Sequence, residues 1–203
     1  MLLSPAERVV SVIPVTGMGG IGKTTLAKSV YNNPQIGRHF GKNKFWVCVA
    51  RKIETMELFK FILVQLTEEE VKVDDRNVIV KKIGDKLERQ KYFLVLDDVW
   101  NHEQGLWNEF FTTLEVLNPT KGSWCLVTTR DKRVADAVST ILRMNHRPHC
   151  LEKLSYDECW SILRKMGTGR GRSIKRIGSN KDANFKKMWW PTIGSKVNWR
   201  LVA

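Results

Sequence analysis

Val9-Val10-Ser11-Val12-Ile13-Pro14-Val15-Thr16-Gly17-Met18-Gly19-Gly20-Ile21-Gly22-Lys23-Thr24-Thr25 is the stretch that decides the fold. Val9 to Thr16 is a β-branched run, and a run this apolar suits a strand buried on both faces of a parallel sheet. Pro14 takes one donor out of the ladder, so a local irregularity is expected near the strand end. The glycine-rich turn follows at once. Thr24 to Tyr31 then reads as a helix that stops before Asn32-Asn33-Pro34.

The turn, Gly17-Met18-Gly19-Gly20-Ile21-Gly22-Lys23-Thr24, fits G-x-x-x-x-G-K-[ST], the P-loop pattern. Glycines let the backbone curl so that successive N–H groups point inward at phosphate oxygens. The helix that follows adds its free N–H groups and the positive end of its dipole. On that chemistry Lys23 bridges the β and γ phosphates, and the Thr24 hydroxyl ligates magnesium. Thr25 stands where it can bond the α phosphate.

Working outward, Lys44 to Ala50 reads as a second strand and Thr55 to Leu66 as an amphipathic helix. Val78 to Arg89 carries Ile79, Ile83 and Leu87 at helical spacing. Tyr92 to Leu96 is a third, fully apolar strand that ends in Asp97-Asp98, the Walker B pattern. Asp97 is the candidate magnesium ligand, and Asp98 the candidate to polarise an attacking water. Trp124 to Thr128 repeats the strand pattern and ends in Thr129-Arg130. Arg130 either senses a γ phosphate, for which a planar guanidinium is suited, or is a surface residue at a helix start. Strands alternating with helices indicate a parallel, helix-covered sheet whose ligands bind beyond the carboxyl ends of the strands. All three polar motifs fall on that edge.

Composition narrows the class further. The 203 residues are 42% hydrophobic and 27% charged, ordinary for a globular chain. They hold no apolar run long enough for a membrane span, and the first residues lack the pattern of a secretory leader. Cys48, Cys125, Cys150 and Cys159 form no metal-ligand spacing. Three of the four lie in apolar or aromatic contexts that suit buried, reduced thiols, which points to the cytoplasm, or to traffic between nucleus and cytoplasm. His39, His102, His146 and His149 lack partners at ligand spacing, so they read as surface or packing residues rather than zinc ligands. The dispersed tryptophans, Trp107 and Trp124 among them, read as core or interface residues. The formal charge of +13 is mostly a property of the last forty residues. Arg164 to Ala203 hold eleven Lys and Arg against one acid, a net +10, which leaves +3 for the first 163 residues. A nucleic-acid-binding module would rest on that tail alone.

Taken in order, these motifs resemble the nucleotide-binding (NB-ARC) domain of plant intracellular disease-resistance receptors with leucine-rich repeats. GMGGIGKTTLA from Gly17 is similar to that family's P-loop, and Val30 to Ala50 to the segment after it. FLVLDDVW from Phe93 is similar to its second motif, with Trp100 the mark of the coiled-coil subclass. GSWCLVTTR from Gly122 and LEKLSYDECWSIL from Leu151 are similar to the next two. The resemblance implies a three-layer α/β/α P-loop NTPase core of the signal-transduction (STAND) and AAA type, with parallel strand order 5-1-4-3-2. It implies an ADP-bound resting state and an ATP-bound signalling state. The implied partners are the nucleotide and the receptor's own coiled-coil and leucine-rich-repeat domains, expected outside this stretch. A working P-loop ATPase or kinase is the alternative with the same phosphate machinery, though no acceptor-substrate site is evident. At most, slow ATP hydrolysis is expected.

The same resemblance divides the chain into residues 1–152, the nucleotide-binding core, 153–165, the start of the helical ARC1 subdomain, and 166–203, a basic tail. Where the family carries KCGGLPLA, whose proline helps hold the adenine, this chain has Lys187-Met188-Trp189-Trp190-Pro191-Thr192-Ile193-Gly194-Ser195-Lys196. Met and Trp have single codons, so the coding strand reads ATG TGG TGG CC. Shifted by one base that is TGT GGT GGC, Cys-Gly-Gly, and the following codons permit Leu-Pro-Leu-Ala-Ala-Lys. A frameshift between about Lys165 and Lys181 is therefore expected, making the tail out-of-frame sequence and its charge incidental. The adenine side of the site would then be incomplete and the affinity weak.

Overall fold

The computed structural model describes residues 8–49, 53–118, 120–141 and 148–168. His146 and the tail beyond Thr168, with the Met-Trp-Trp-Pro run, lie outside the described residues. Five parallel strands form one sheet: β1 (Val10–Thr16), β2 (Lys44–Cys48), β3 (Phe93–Val99), β4 (Ser123–Thr129) and β5 (His149–Cys150). Their spatial order is β2-β3-β4-β1-β5, which is the 5-1-4-3-2 order seen from the other edge. Among the described residues seven helices complete the layers: α1 (Lys23–Tyr31), α2 (Pro34–Phe40), α3 (Thr55–Thr67), α4 (Arg76–Leu87), α5 (Gln104–Leu117), α6 (Lys132–Ile141) and α7 (Tyr156–Thr168).

Side-chain alternation along the strands explains why there are two cores rather than one. Val12, Phe45, Val47, Leu94, Leu96, Cys125 and Val127 join the buried cluster that holds residues of α3 to α6. Their strand neighbours Trp46, Phe93, Val95, Trp124 and Leu126 join the other cluster, with Ala27 of α1 and Ile36 and Phe40 of α2. The sheet is thus buried on both faces, as its continuous apolar strands require.

Pro14 sits in unbroken register opposite Val127, so the irregularity expected there is absent. Thr16 gives its carbonyl to the Leu151 N–H on the β5 side, at 2.8 Å. Pro14, two residues earlier, faces the same flank. There β5 pairs with Val15 and Thr16 alone among the described residues, so Pro14 has no ladder bond to lose.

The helices form where local chemistry directs. Asn33 caps α2, accepting from the Gln35 N–H at 2.8 Å, and Pro34 opens the first turn, where its missing N–H costs nothing. Asp75 caps α4 by accepting from the Asn77 and Val78 N–H groups. That places the start of α4 two residues before the periodic pattern begins. The expected burial of thiols holds at Cys125, whose surroundings push its pKa far up, while Cys48 and Cys150 are exposed at the ends of β2 and β5. His39, His102 and His149 are exposed, consistent with surface roles. Among the described residues no helix is long and apolar enough to cross a membrane.

Candidate functional site

The site is built where β1, β3 and β4 end side by side. β1 stops at Thr16, the chain turns through Gly17 to Gly22, and α1 begins at Lys23. Gly17 and Gly22 hold φ of +149° and +108°, a region that side chains with a Cβ rarely enter. Gly22 is the N-cap and no side chain caps this helix end. The first-turn N–H groups therefore have no partner inside the helix. A Cβ on Gly17 would also meet the Leu151 carbonyl and Ile21 Cγ2, each at 3.1 Å. Gly17→Ala is expected to cost about 1–3 kcal/mol, read as a lower urea midpoint at unchanged slope. A midpoint equal to wild type would show that the loop relaxes freely.

Lys23 is only 7% exposed, and its ammonium donates to the carbonyls of Gly17, at 2.7 Å, and Met18, at 2.8 Å. Its pKa is lowered, first by burial and then by the nearby Arg130 charge, with Asp98 and Asp97 pulling the other way. Thr24 and Thr25 follow in the first turn of α1, both exposed.

Asp97 lies at the end of the apolar run of β3, 6% exposed. Its carboxylate accepts the Thr24 hydroxyl, at 3.0 and 3.2 Å to its two oxygens, and the Thr128 hydroxyl at 2.6 Å. The β3–β4 register then shifts between Leu96 and Val99. Asp98 sits in that bulge with φ +57°, an unusual conformation for a residue with a Cβ. Its N–H donates to Thr128 Oγ1 at 2.9 Å, and its carboxylate pairs with Arg130 Nε at 3.3 Å. The Arg130 guanidinium lies 5.2 Å from the centre of the Trp100 ring. A Cβ on Gly19 would be 3.1 Å from Arg130 Nη1, so the arginine also borders the loop.

The structure thus gathers Lys23, Thr24, Asp97, Asp98 and Arg130 around the Gly17–Gly22 turn. Met18, Gly20 and Ile21 belong to that turn by backbone, and Met18 is 55% exposed. Among the described residues no side-chain hydrogen bond draws Thr25 toward these groups. Arg130 is half exposed and pairs with Asp98. Two contributors were not singled out from sequence, Thr128 and Leu151. Thr128 was legible in principle. Once β4 lies beside β3, two-residue alternation puts the Thr128 side chain on the face of Asp97. Leu151 has no such signal.

The residues fit a phosphate and a hard cation. A carboxylate and a hydroxyl within hydrogen-bond reach, next to a phosphate loop, are the sparse oxygen set that magnesium shares with water and phosphates. No cluster of three His, Cys, Asp or Glu able to hold a metal occurs among the described residues.

Fold and loop together define a P-loop nucleotide-binding domain. The profile of the NB-ARC domain family matches residues 2–172. The chain belongs to that family. It is 34% identical over 165 residues to disease resistance protein RGA2 of Solanum bulbocastanum, an alignment covering 81% of this chain and 16% of that protein. It is 30% identical over 158 residues to the putative disease resistance RPP13-like protein 1 of Arabidopsis thaliana, covering 77% and 14%. The chain therefore spans about one-seventh to one-sixth of the length of these curated relatives. Among solved structures the Aeropyrum pernix ORC1 protein in complex with DNA shares the fold, with TM-score 0.53 and 16% identity over 76% of this chain and 43% of that one. Drosophila ORC bound to DNA gives TM-score 0.54 and 14% identity, over 82% and 42%. At such identities the fold alone is shared.

Proposed function

We propose that this domain is the ADP/ATP-operated switch of a plant intracellular immune receptor, working in the cytoplasm beside the receptor's own coiled-coil and leucine-rich-repeat domains. One observation carries the nucleotide chemistry: the Asp97 carboxylate joined to the Thr24 hydroxyl at the mouth of the Gly17–Gly22 turn, with Lys23 inside it. The immune role is supported by relatives that are disease resistance proteins.

In this reading the N–H groups of Gly17 to Thr25 receive the phosphates, with Thr25 near the α phosphate. Lys23 exchanges its bonds to the loop carbonyls for bonds to the β and γ phosphates. Thr24 and Asp97 would hold magnesium, which when bound offsets the charge of the phosphate oxygens. Arg130 leaves Asp98 to meet a γ phosphate, and a freed Asp98 orients water. Residues 1–152 form the nucleotide core and 153–165 open the ARC1 subdomain. Residues 166–203 are out-of-frame, leaving the adenine side incomplete and the affinity weak.

The test is a titration of the purified chain with fluorescent ADP in magnesium, competed by unlabelled ADP and ATP, with turnover measured in parallel. Saturable, competed binding and slow turnover are expected. A chain that melts cooperatively yet binds neither nucleotide would sink this reading.

A further inference from the structure

Thr128 is 1% exposed at the end of the central strand β4, and its hydroxyl makes two bonds at once. It donates to Asp97 Oδ1 at 2.6 Å and accepts from the Asp98 N–H at 2.9 Å. One hydroxyl therefore ties together both acids of the β3 end.

We propose that Thr128 is the positioning residue of this site: it orients the Asp97 carboxylate for the cation that accompanies a nucleotide, and it holds the bulge that carries Asp98. The proposal rests on the nucleotide-switch reading. Three features of the geometry support it.

First, the two carboxylate oxygens of Asp97 are not equivalent. Oδ1 receives the short Thr128 bond and the Thr24 hydroxyl at 3.0 Å, whereas Oδ2 has Thr24 at 3.2 Å. Thr24 has one hydrogen to share between the two oxygens, so the short Thr128 bond is what distinguishes Oδ1, and Oδ2 keeps more capacity for a cation. Fixing one oxygen from behind selects the other and locks the torsion of the carboxylate.

Second, a threonine hydroxyl has one hydrogen to give. Thr128 spends its hydrogen on Asp97, and its oxygen accepts from Asp98, so each bond polarises the other in the same sense. Serine could make the same pair of bonds; valine could make neither.

Third, Asp98 at φ +57° is held in a sparsely populated conformation. Its backbone N–H has left the regular ladder where the register shifts, and the Thr128 oxygen receives it. Without that acceptor the bulge has a partly buried donor to satisfy, and the Asp98 carboxylate loses its aim toward Arg130.

A group that orients a ligand rather than binding the cation typically changes metal affinity about 10- to 100-fold when removed. The measurement is the ratio of the fluorescent-ADP dissociation constant in EDTA to that in magnesium, for wild type, Thr128→Val and Thr128→Ser, each checked by a cooperative melt. Thr128→Val is expected to lower this ratio about tenfold or more. Its affinity in EDTA should change far less, and Thr128→Ser should restore most of the ratio. Where the valine variant gives no cooperative melt, Thr128→Cys, of similar size with a weak S–H donor, carries the same comparison. A merely structural role would weaken binding equally with and without magnesium, leaving the ratio at the wild-type value. That result overturns the proposal alone. A folded wild-type chain with no nucleotide binding overturns the switch reading and the proposal with it.

Discussion

Lys23→Ala is expected to weaken ADP binding in magnesium by about tenfold or more, since a hydrogen bond to a charged group contributes about 1.5–3 kcal/mol and the one to the β phosphate is lost. The same change should move the melting temperature little. In the free domain the ammonium bridges the Gly17 and Met18 carbonyls, which favours the native loop. Against that, the group is buried and sits near Arg130, and its pKa is lowered from that of a free lysine. The sign follows from linkage. Between the lowered native pKa and the unfolded value, the unfolded chain binds more protons, so stability rises with pH through that window. Below it the charged amine is a standing cost to the fold, which alanine removes along with the two bonds. A phosphate placed against the ammonium opposes that shift, because its negative charge favours the protonated amine. The residue's favourable contribution therefore appears on binding, not on folding. Fluorescent-ADP titration beside a thermal melt checks this. Affinity within about threefold of wild type would remove Lys23 from the phosphate site, whereas joint loss of binding and melt would make it a structural residue.

The parts of the site that lie along one segment were legible in the sequence. The Gly17–Thr25 turn, the Asp97-Asp98 pair and the Thr128-Thr129-Arg130 end each announce themselves by an apolar run that stops in polar residues. What lies between segments was not. The Arg130–Asp98 pair and the two hydrogen bonds of Thr128 depend on which strands are neighbours and on a bulge that shifts one register. Strand β3 was expected to end at Leu96 but runs to Val99, because the bulge lets the acids stay within the strand.

The missed elements have distinct reasons. Pro34 was read only as the stop of α1, although the same residue, behind Asn33, is a good first residue for α2. Strand β5 is two exposed residues, too short to carry any period. Its place is set by backbone pairing to Val15 and Thr16. Helix α6 begins two residues after Arg130, and its buried Val134, Ala135, Ala137 and Val138 fall within a run of only ten residues, too short to stand out from the strand end before it. Helix α5 was legible from Trp107, Phe110, Phe111 and Leu114 at spacings of three and four, but no side chain caps its start to mark a boundary.

That helix carries the second large effect. Trp107→Ala is expected to destabilise the domain by about 3–5 kcal/mol, the range for removing a buried large aromatic, which is a major share of a total of about 5–15 kcal/mol. The Trp107 ring is fully buried, 6.1 Å from Phe110 and 6.3 Å from Phe111 between ring centres, and belongs to the cluster that packs α3 to α6 on the sheet. Its indole N–H also donates to the Asn101 carbonyl at 2.7 Å, tying α5 to the segment that follows Asp97-Asp98-Val99-Trp100. The two contributions separate by substitution. Trp107→Phe keeps most of the apolar contact and loses the hydrogen bond, so its expected cost is about 1–2 kcal/mol, the bond plus a small packing defect. Urea unfolding of both variants measures the difference. If Phe costs as much as Ala, the Asn101 tether rather than the aromatic cluster holds α5, and ADP affinity should fall with it as the loop behind Asp98 loosens. If Phe is close to wild type and Ala is not, burial carries the stability, and the nucleotide site should be indifferent to the Phe variant.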